Sequence, residues 1–218
     1  MADPARPVET RSARKRRAIL EAATTLFLRN GYQGTSMDEV AAMAAVSKQT
    51  VYKHFADKER LFTDIILSVS GSIDELLNAE IRALADSDDL ERDLRTFARR
   101  HVRSITQPRV VRLRRLVISV ADRFPALGRT FWERGPERVI SGLADSMDRL
   151  HRRGLLKLDD PHVAASQFAY LVVSGPLDRT MFWGEEEEAA LTEEALHRAA
   201  DAGVRAFLAA YGTGRPAG

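Results

Sequence analysis

From Leu61 to Leu84 the apolar residues fall at Leu61, Ile65, Val69, Ile73, Leu76, Leu77, Ile81 and Leu84. Spacings of three and four, sustained over so many turns, fit one long α-helix with a single apolar stripe. Asp57 stands where its carboxylate can cap the first turn. The same period recurs along nearly the whole chain, and no segment alternates as a strand would. The expected fold is therefore all-α, with about nine helices.

The first helix is expected from about Ser12 to Asn30, stopped by Gly31. A second opens at Thr35 or Ser36, of which Ser36 can form a capping box with Glu39, and breaks near Ala45. A third starts at a Ser47 cap and ends by Phe55. The fourth is the long one. A fifth carries Leu90, Leu94, Phe97, His101, Val102 and Ile105, and a sixth Val110, Leu113, Leu116, Val117 and Val120. A seventh is broken near Gly135–Pro136 and resumes to Arg153; Pro161 opens an eighth, and a ninth covers Leu191 to Tyr211. Residues 1–11 and 212–218 offer little to bury and are expected to be a flexible arm and tail.

Composition narrows the chemistry. None of the 218 residues is cysteine, which excludes disulfides, thiolate metal sites and cysteine catalysis. His54, His101, His151, His162 and His197 show no metal-ligand spacing, so neither a metal nor a cofactor is expected. No GxSxG, Walker A, GxGxxG or HExxH pattern anchors an enzyme reading. No apolar run reaches the roughly 18 residues of a membrane span. "RKRRAILEAATTLFL" mimics a signal peptide, but Glu21, Thr24 and Thr25 interrupt it, so it reads as an amphipathic helix of a cytoplasmic protein.

Charge is uneven. Residues 1–60 carry eleven Lys/Arg against seven Asp/Glu, although the whole chain is only +2. A basic head on a slightly acidic body points to a polyanionic partner for the head. Within it, Ser47–Phe55 holds no carboxylate at all. Val51 and Phe55 share a buried face, which leaves Lys48, Gln49, Thr50, Lys53 and His54 to point elsewhere. Two short helices across a tight turn, Ser36–Ala44 and Ser47–His54, match a helix-turn-helix whose second helix fits a DNA major groove. The basic run Arg11–Arg17 reads as a further phosphate or minor-groove contact.

The stretch "ILEAATTLFLRNGYQGTSMDEVAAMAAVSKQTVYKHFADKERLF", Ile19 to Phe62, resembles the DNA-binding domain of the tetracycline-repressor (TetR) family of bacterial regulators. That resemblance puts Ser36, Thr50, Tyr52, His54 and Lys58 on phosphate-contacting positions, Lys48 and Gln49 on base-reading ones, and Lys53 at a variable contact. It implies a DNA-binding domain at 12–58, with the helix-turn-helix at about 36–55, and an effector-binding and dimerisation bundle at 59–211. The segment "LRRLVISVADRFPALGRTFWERGPERV" resembles a C-terminal subclass of these regulators. The family usually has glycine where this turn has Ala45, and alanine is expected to be taken up by a slightly altered turn geometry.

The implied function is a repressor that leaves a palindromic double-stranded operator when a small, mostly apolar effector enters the body. His101, Ile105, Leu116, Val120, Phe124, Trp132 and Tyr170, with Val69 and Ile73, are the candidate lining. His101 lies on the apolar stripe of its helix, where a core histidine is the plainer reading. Arg109, Arg112, Arg114 and Arg115 read mainly as a solvated face, from which one could reach inward to an acidic effector. A homodimer is expected through the last two helices, using Val163, Phe168, Leu171, Val172, Leu191, Leu196, Val204, Phe207 and Leu208, with small alanines allowing close approach. The competing classes are an all-α enzyme, or a nucleic-acid or membrane-surface module with a basic head.

Overall fold

The structure is a computed structural model that describes residues 10–183 and 191–214, with the side chains of 70–76 outside that description. Expectations for residues 1–9, 215–218 and the Ile73 side chain therefore lie outside the described residues.

Among the described residues there are ten helices and no strand. They are α1 (Arg11–Asn30), α2 (Met37–Met43), α3 (Lys48–His54), α4 (Lys58–Leu84), α5 (Leu90–Ile105), α6 (Pro108–Val120), α7 (Pro125–Arg134), α8 (Pro136–Arg152), α9 (Pro161–Phe182) and α10 (Glu193–Tyr211). One helix more than expected arises at Gly135, whose backbone (φ −117°, ψ −96°) leaves the helix before Pro136 opens α8. Proline supplies no N–H and its ring clashes with the carbonyl four residues back, so the chain restarts there. Arg11 belongs to α1, because the Thr10 hydroxyl caps it by accepting from the Ala13 N–H at 3.2 Å. The expected tail is tied down at its start. Leu156 and Gly212 form an isolated antiparallel bridge, and Lys157 N–H donates to the Tyr211 carbonyl at 2.8 Å.

The chain divides into two compact units, Met1–Ser68 with Leu116–Thr130, and Val69–Arg115 with Phe131–Gly218. The division falls inside α4, α6 and α7, not at residue 58. Local periodicity shows that the 116–130 segment has a face to bury, but not against what. In the first unit Ile19, Phe27, Val40, Val51, Phe55, Leu61 and Phe62 are buried. Phe27 stacks on Tyr32 with centroids 5.6 Å apart, and Phe62 and Phe124 meet Tyr32 at 5.3 and 4.9 Å. Asp64 braces this unit by accepting from Arg16 at 2.6 Å, with Arg60 at 3.5 Å.

The second unit is cored by residues such as Leu94, Phe97, Leu143, Phe168, Val204 and Phe207. Arg99 joins α5 to α10 by a two-pronged pair with Asp201 at 2.8 and 2.6 Å. Five residues expected at a dimer face, Phe168, Val172, Leu196, Val204 and Phe207, are buried within this single chain, as are Ala164, Ala165 and Ala200. Val163 and Leu171 stay exposed, and Leu191 and Leu208 are partly buried. Apolar spacing identifies α9 as apolar on more than one face; it does not say which face the chain itself covers.

Candidate functional site

The capping pattern sets the geometry of the head. The Ser36 hydroxyl accepts from Glu39 N–H at 3.2 Å and donates to its carboxylate at 2.8 Å, while that carboxylate accepts from Ser36 N–H at 2.7 Å. These bonds hold the Glu39 carboxyl below its ordinary pKa. Ser36 is thus fully engaged as a helix cap in the free protein. Ser47 caps α3 in the same manner, accepting from Thr50 N–H at 3.2 Å, with its hydroxyl 2.8 Å from that of Thr50.

The turn between α2 and α3 overrides the expectation for Ala45. Its φ is +52°, so alanine takes the left-handed conformation itself. The reason is the way α2 ends. Val46 N–H bonds the Ala41 carbonyl at 3.0 Å and Ala45 N–H the Ala42 carbonyl at 3.2 Å, the paired bonds of a Schellman motif, which needs a left-handed residue at this position. A side chain there costs about 1–2 kcal/mol, partly offset by the roughly 0.4–1 kcal/mol that glycine loses through unfolded-chain entropy. Ala45→Gly should therefore raise stability by about 0.5–1 kcal/mol in urea unfolding. An unchanged or lower midpoint would mean that the turn relieves alanine in some other way.

With α3 held so, Val51 is buried while Lys48, Gln49, Tyr52 and Lys53 are exposed and Thr50 and His54 half-buried. The exposed set comes from one helix face and its N-terminal turn. Lys48 is paired across the motif with Asp38 of α2, 2.8 Å away, and this hydrogen-bonded partner raises its pKa. Lys58 differs from its sequence reading. The resemblance puts it at a phosphate-contacting position. Its ammonium instead lies 4.5 Å above the Tyr32 ring and 5.9 Å from that of Phe27, and donates to the Gln33 carbonyl at 3.5 Å. Ring faces stabilise a partly desolvated cation, and the same burial lowers its pKa. In the basic run, Arg16 is drawn to Asp64 and over the Phe55 ring at 5.3 Å, so its charge serves the head itself.

The second unit holds a cavity of about 100 Å³. His101, Ile105 and Tyr170 line it, as does Val69. Leu116, Val120 and Phe124 do not; they belong to the first unit, where Phe124 packs on Tyr32. Trp132 lies on the second unit's surface, 42% exposed and off the cavity wall, while its neighbour Phe131 is on it. Adjacent helical residues point about 100° apart, and an aromatic pair in sequence does not say which ring turns inward. The sequence reading missed most of the wall, including Val139, Ile140, Val173 and Leu177. Their signal, apolar helical spacing, is shared with the core.

His101 is buried and stacked on Phe97 with centroids 5.5 Å apart, and its Nδ1 has no hydrogen-bond partner. Burial, then the Arg114 charge, pushes its pKa down to about 4. The α6 arginines are not one solvated face. Arg115 donates to the carbonyls of Thr180, Met181 and Trp183 at the end of α9, and Arg114 lines the cavity. Among the described residues no group of three or more His, Cys, Asp or Glu could hold a metal, and no helix is long and apolar enough to cross a membrane.

A capped two-helix motif whose second helix has a polar outer face without carboxylates, joined in one chain to a helical bundle with a cavity, defines a class: DNA-binding transcriptional regulators. Residues 19–65 match the tetR family of bacterial regulatory proteins, and residues 92–213 match the AefR-like transcriptional repressor C-terminal domain. The chain belongs to the TetR family of transcriptional regulators. It is similar to the crystal structure of a TetR-family regulator from Mesorhizobium loti, at 42% identity and a TM-score of 0.86, covering 94% of this chain and 100% of that one. The flavonoid-responsive regulator FrrA is 35% identical with a TM-score of 0.75, over 93% of this chain and 99% of its own. The HTH-type regulator YhgD of Bacillus subtilis is 46% identical over 55 residues, which are 25% of this chain and 29% of YhgD. The likeness to YhgD thus spans less than a third of that relative.

Proposed function

We propose that the chain acts in the cytoplasm as a homodimeric repressor. Lys48 and Gln49 choose the sequence, Ser36, Thr50, Tyr52, His54 and Lys58 hold phosphates, and Lys53 makes an auxiliary contact. A small, mostly apolar effector entering the second unit releases the operator. The observation that carries this reading is the outward face of α3, whose polar groups have no carboxylate among them while Val51 anchors the helix inside. Bringing Lys48 to a base edge requires it to leave Asp38, a weak exposed pair. The dimer is supported by α9, where Val163, Tyr170 and Leu171 remain exposed on a helix whose Phe168, Val172 and Val173 are already buried. FrrA is named for its response to flavonoids, which supports a small organic effector. An isologous dimer would carry two α3 helices to a palindrome with half-sites about 34–36 Å apart or a multiple of that.

The test is selection of the bound duplex from a random pool, followed by screening small molecules for release. Lys48→Ala or Gln49→Ala should weaken the selected duplex roughly ten- to hundredfold and relax preference at one position. Tyr52→Phe, which removes only a hydroxyl, and Lys58→Ala should weaken all duplexes alike. Lys58→Ala should also reduce the slope of log affinity against log salt by about one. A Lys58→Ala protein with altered sequence preference and an intact salt slope would overturn this division of roles.

A further inference from the structure

The cavity of the second unit has apolar walls, among them Val69, Ile105, Val139, Ile140 and Val173, but its polar groups are unusual. Two of them carry buried nitrogens with no hydrogen-bond partner, His101 Nδ1 and Arg114 Nε. Arg114 is half-buried, and the burial of its guanidinium lowers its pKa, while Tyr170 is the one group that acts to raise it. Its nearest compensation is the face of the Phe131 ring, 5.3 Å from Cζ. Among the described residues no carboxylate pairs with it, whereas Arg99 holds Asp201 and Arg16 holds Asp64. A cation taken out of water without a counter-ion costs stability, and such a group is retained where an anion arrives from outside.

This inference rests on the reading of the cavity as an effector site. We infer that the effector is a small organic monoanion, a carboxylate on an apolar body, with Arg114 as its counter-ion and His101 as a second hydrogen-bond donor. A neutral imidazole can place its one N–H on Nδ1 and so donate without taking up a proton. The guanidinium fork matches a carboxylate's two oxygens. The apolar walls and a volume of about 100 Å³ argue for a small body, a short alkyl chain or at most a single ring, since a dry cavity of roughly 150 Å³ holds benzene.

The experiment titrates the DNA-free full chain with benzoate, hexanoate and their neutral isosteres benzamide and hexanamide, in a calorimeter. Each carboxylate should bind at least tenfold more tightly than its amide. Arg114→Met should erase that difference by lowering carboxylate affinity to that of the amide, while Arg114→Lys should keep part of it. An arginine present only for packing would lower the melting temperature when replaced by methionine; here the melting temperature should hold or rise, because an unpaired buried charge is removed. Equal affinity for carboxylates and amides, or no carboxylate binding at millimolar concentration, would overturn the inference. Amides that release the operator where carboxylates do not would also overturn it, yet leave the repressor reading intact. Carboxylates that bind through Arg114 to a protein that selects no duplex would support the inference and remove the repressor.

Discussion

Gly203→Ala is expected to destabilise the protein by about 2–3 kcal/mol, although alanine is the better helix former by about 1 kcal/mol. Gly203 lies inside α10 where that helix meets α9. A Cβ built there falls 2.7 Å from the Leu171 carbonyl oxygen, 2.8 Å from its carbon and 3.0 Å from the Val172 Cα. All three are backbone atoms, so no rotamer change can make room. The helices must separate, and the contacts of Phe168, Val204 and Phe207 loosen with them. Gly128→Ala provides the comparison. Its Cβ would sit 3.5 Å from the Ala121 Cβ, an ordinary contact. There the propensity gain should survive, as about 0.5–1 kcal/mol of added stability. Urea unfolding of both variants decides the matter: two shifts of the same sign would show that helix propensity, not the α9–α10 approach, governs Gly203.

Acidification should cost this protein about 2 kcal/mol between pH 7 and pH 5 through His101 alone. The folded pKa is pushed to about 4 from 6.5, by burial and by the Arg114 charge. Above pH 6.5 the imidazole is neutral in both states and contributes nothing to the pH dependence. As pH falls below 6.5 the unfolded chain binds a proton that the folded chain refuses until about pH 4, so stability drops through that window by about 1.4 kcal/mol per unit. Carboxylates with lowered pKa values, such as Asp93 and Asp201, also lose stability on acidification, chiefly below this window. Only the difference between wild type and His101→Phe therefore isolates the histidine. Phenylalanine keeps a ring to stack on Phe97 and cannot titrate. The two proteins should diverge in pH dependence by about 2 kcal/mol at pH 5; parallel profiles would mean that His101 takes its proton inside the fold.

The DNA-facing half was legible because its determinants are local. The Ser36–Glu39 box, the Ser47 cap and the Val51–Phe55 spacing all act within four residues, and each appears in the structure as the sequence implies. The conformation of Ala45 was misread, since alanine was expected to take an altered turn geometry; the Ala41 and Ala42 carbonyls at the end of a short helix impose the left-handed conformation whatever side chain stands there. The surroundings of Lys58 were not legible, for a different reason. Its explanation lies in Tyr32 and Phe27, on another helix and its following loop, where no spacing rule reaches.

By itself the sequence determined that the chain is all-helical, where most helices begin and end, and that one short helix presents cations and amides free of carboxylates. Periodicity and capping energies are set by neighbours along the chain, so no folding was needed to read them. The tertiary structure alone decided which face of α9 the chain covers for itself and that 116–130 belongs with the first unit. It also decided that Arg114 turns into a cavity while Arg115 is taken up by α9 carbonyls 65 to 68 residues away. Adjacent helical side chains diverge by about 100°, and which of those directions is interior depends on partners brought close only by folding.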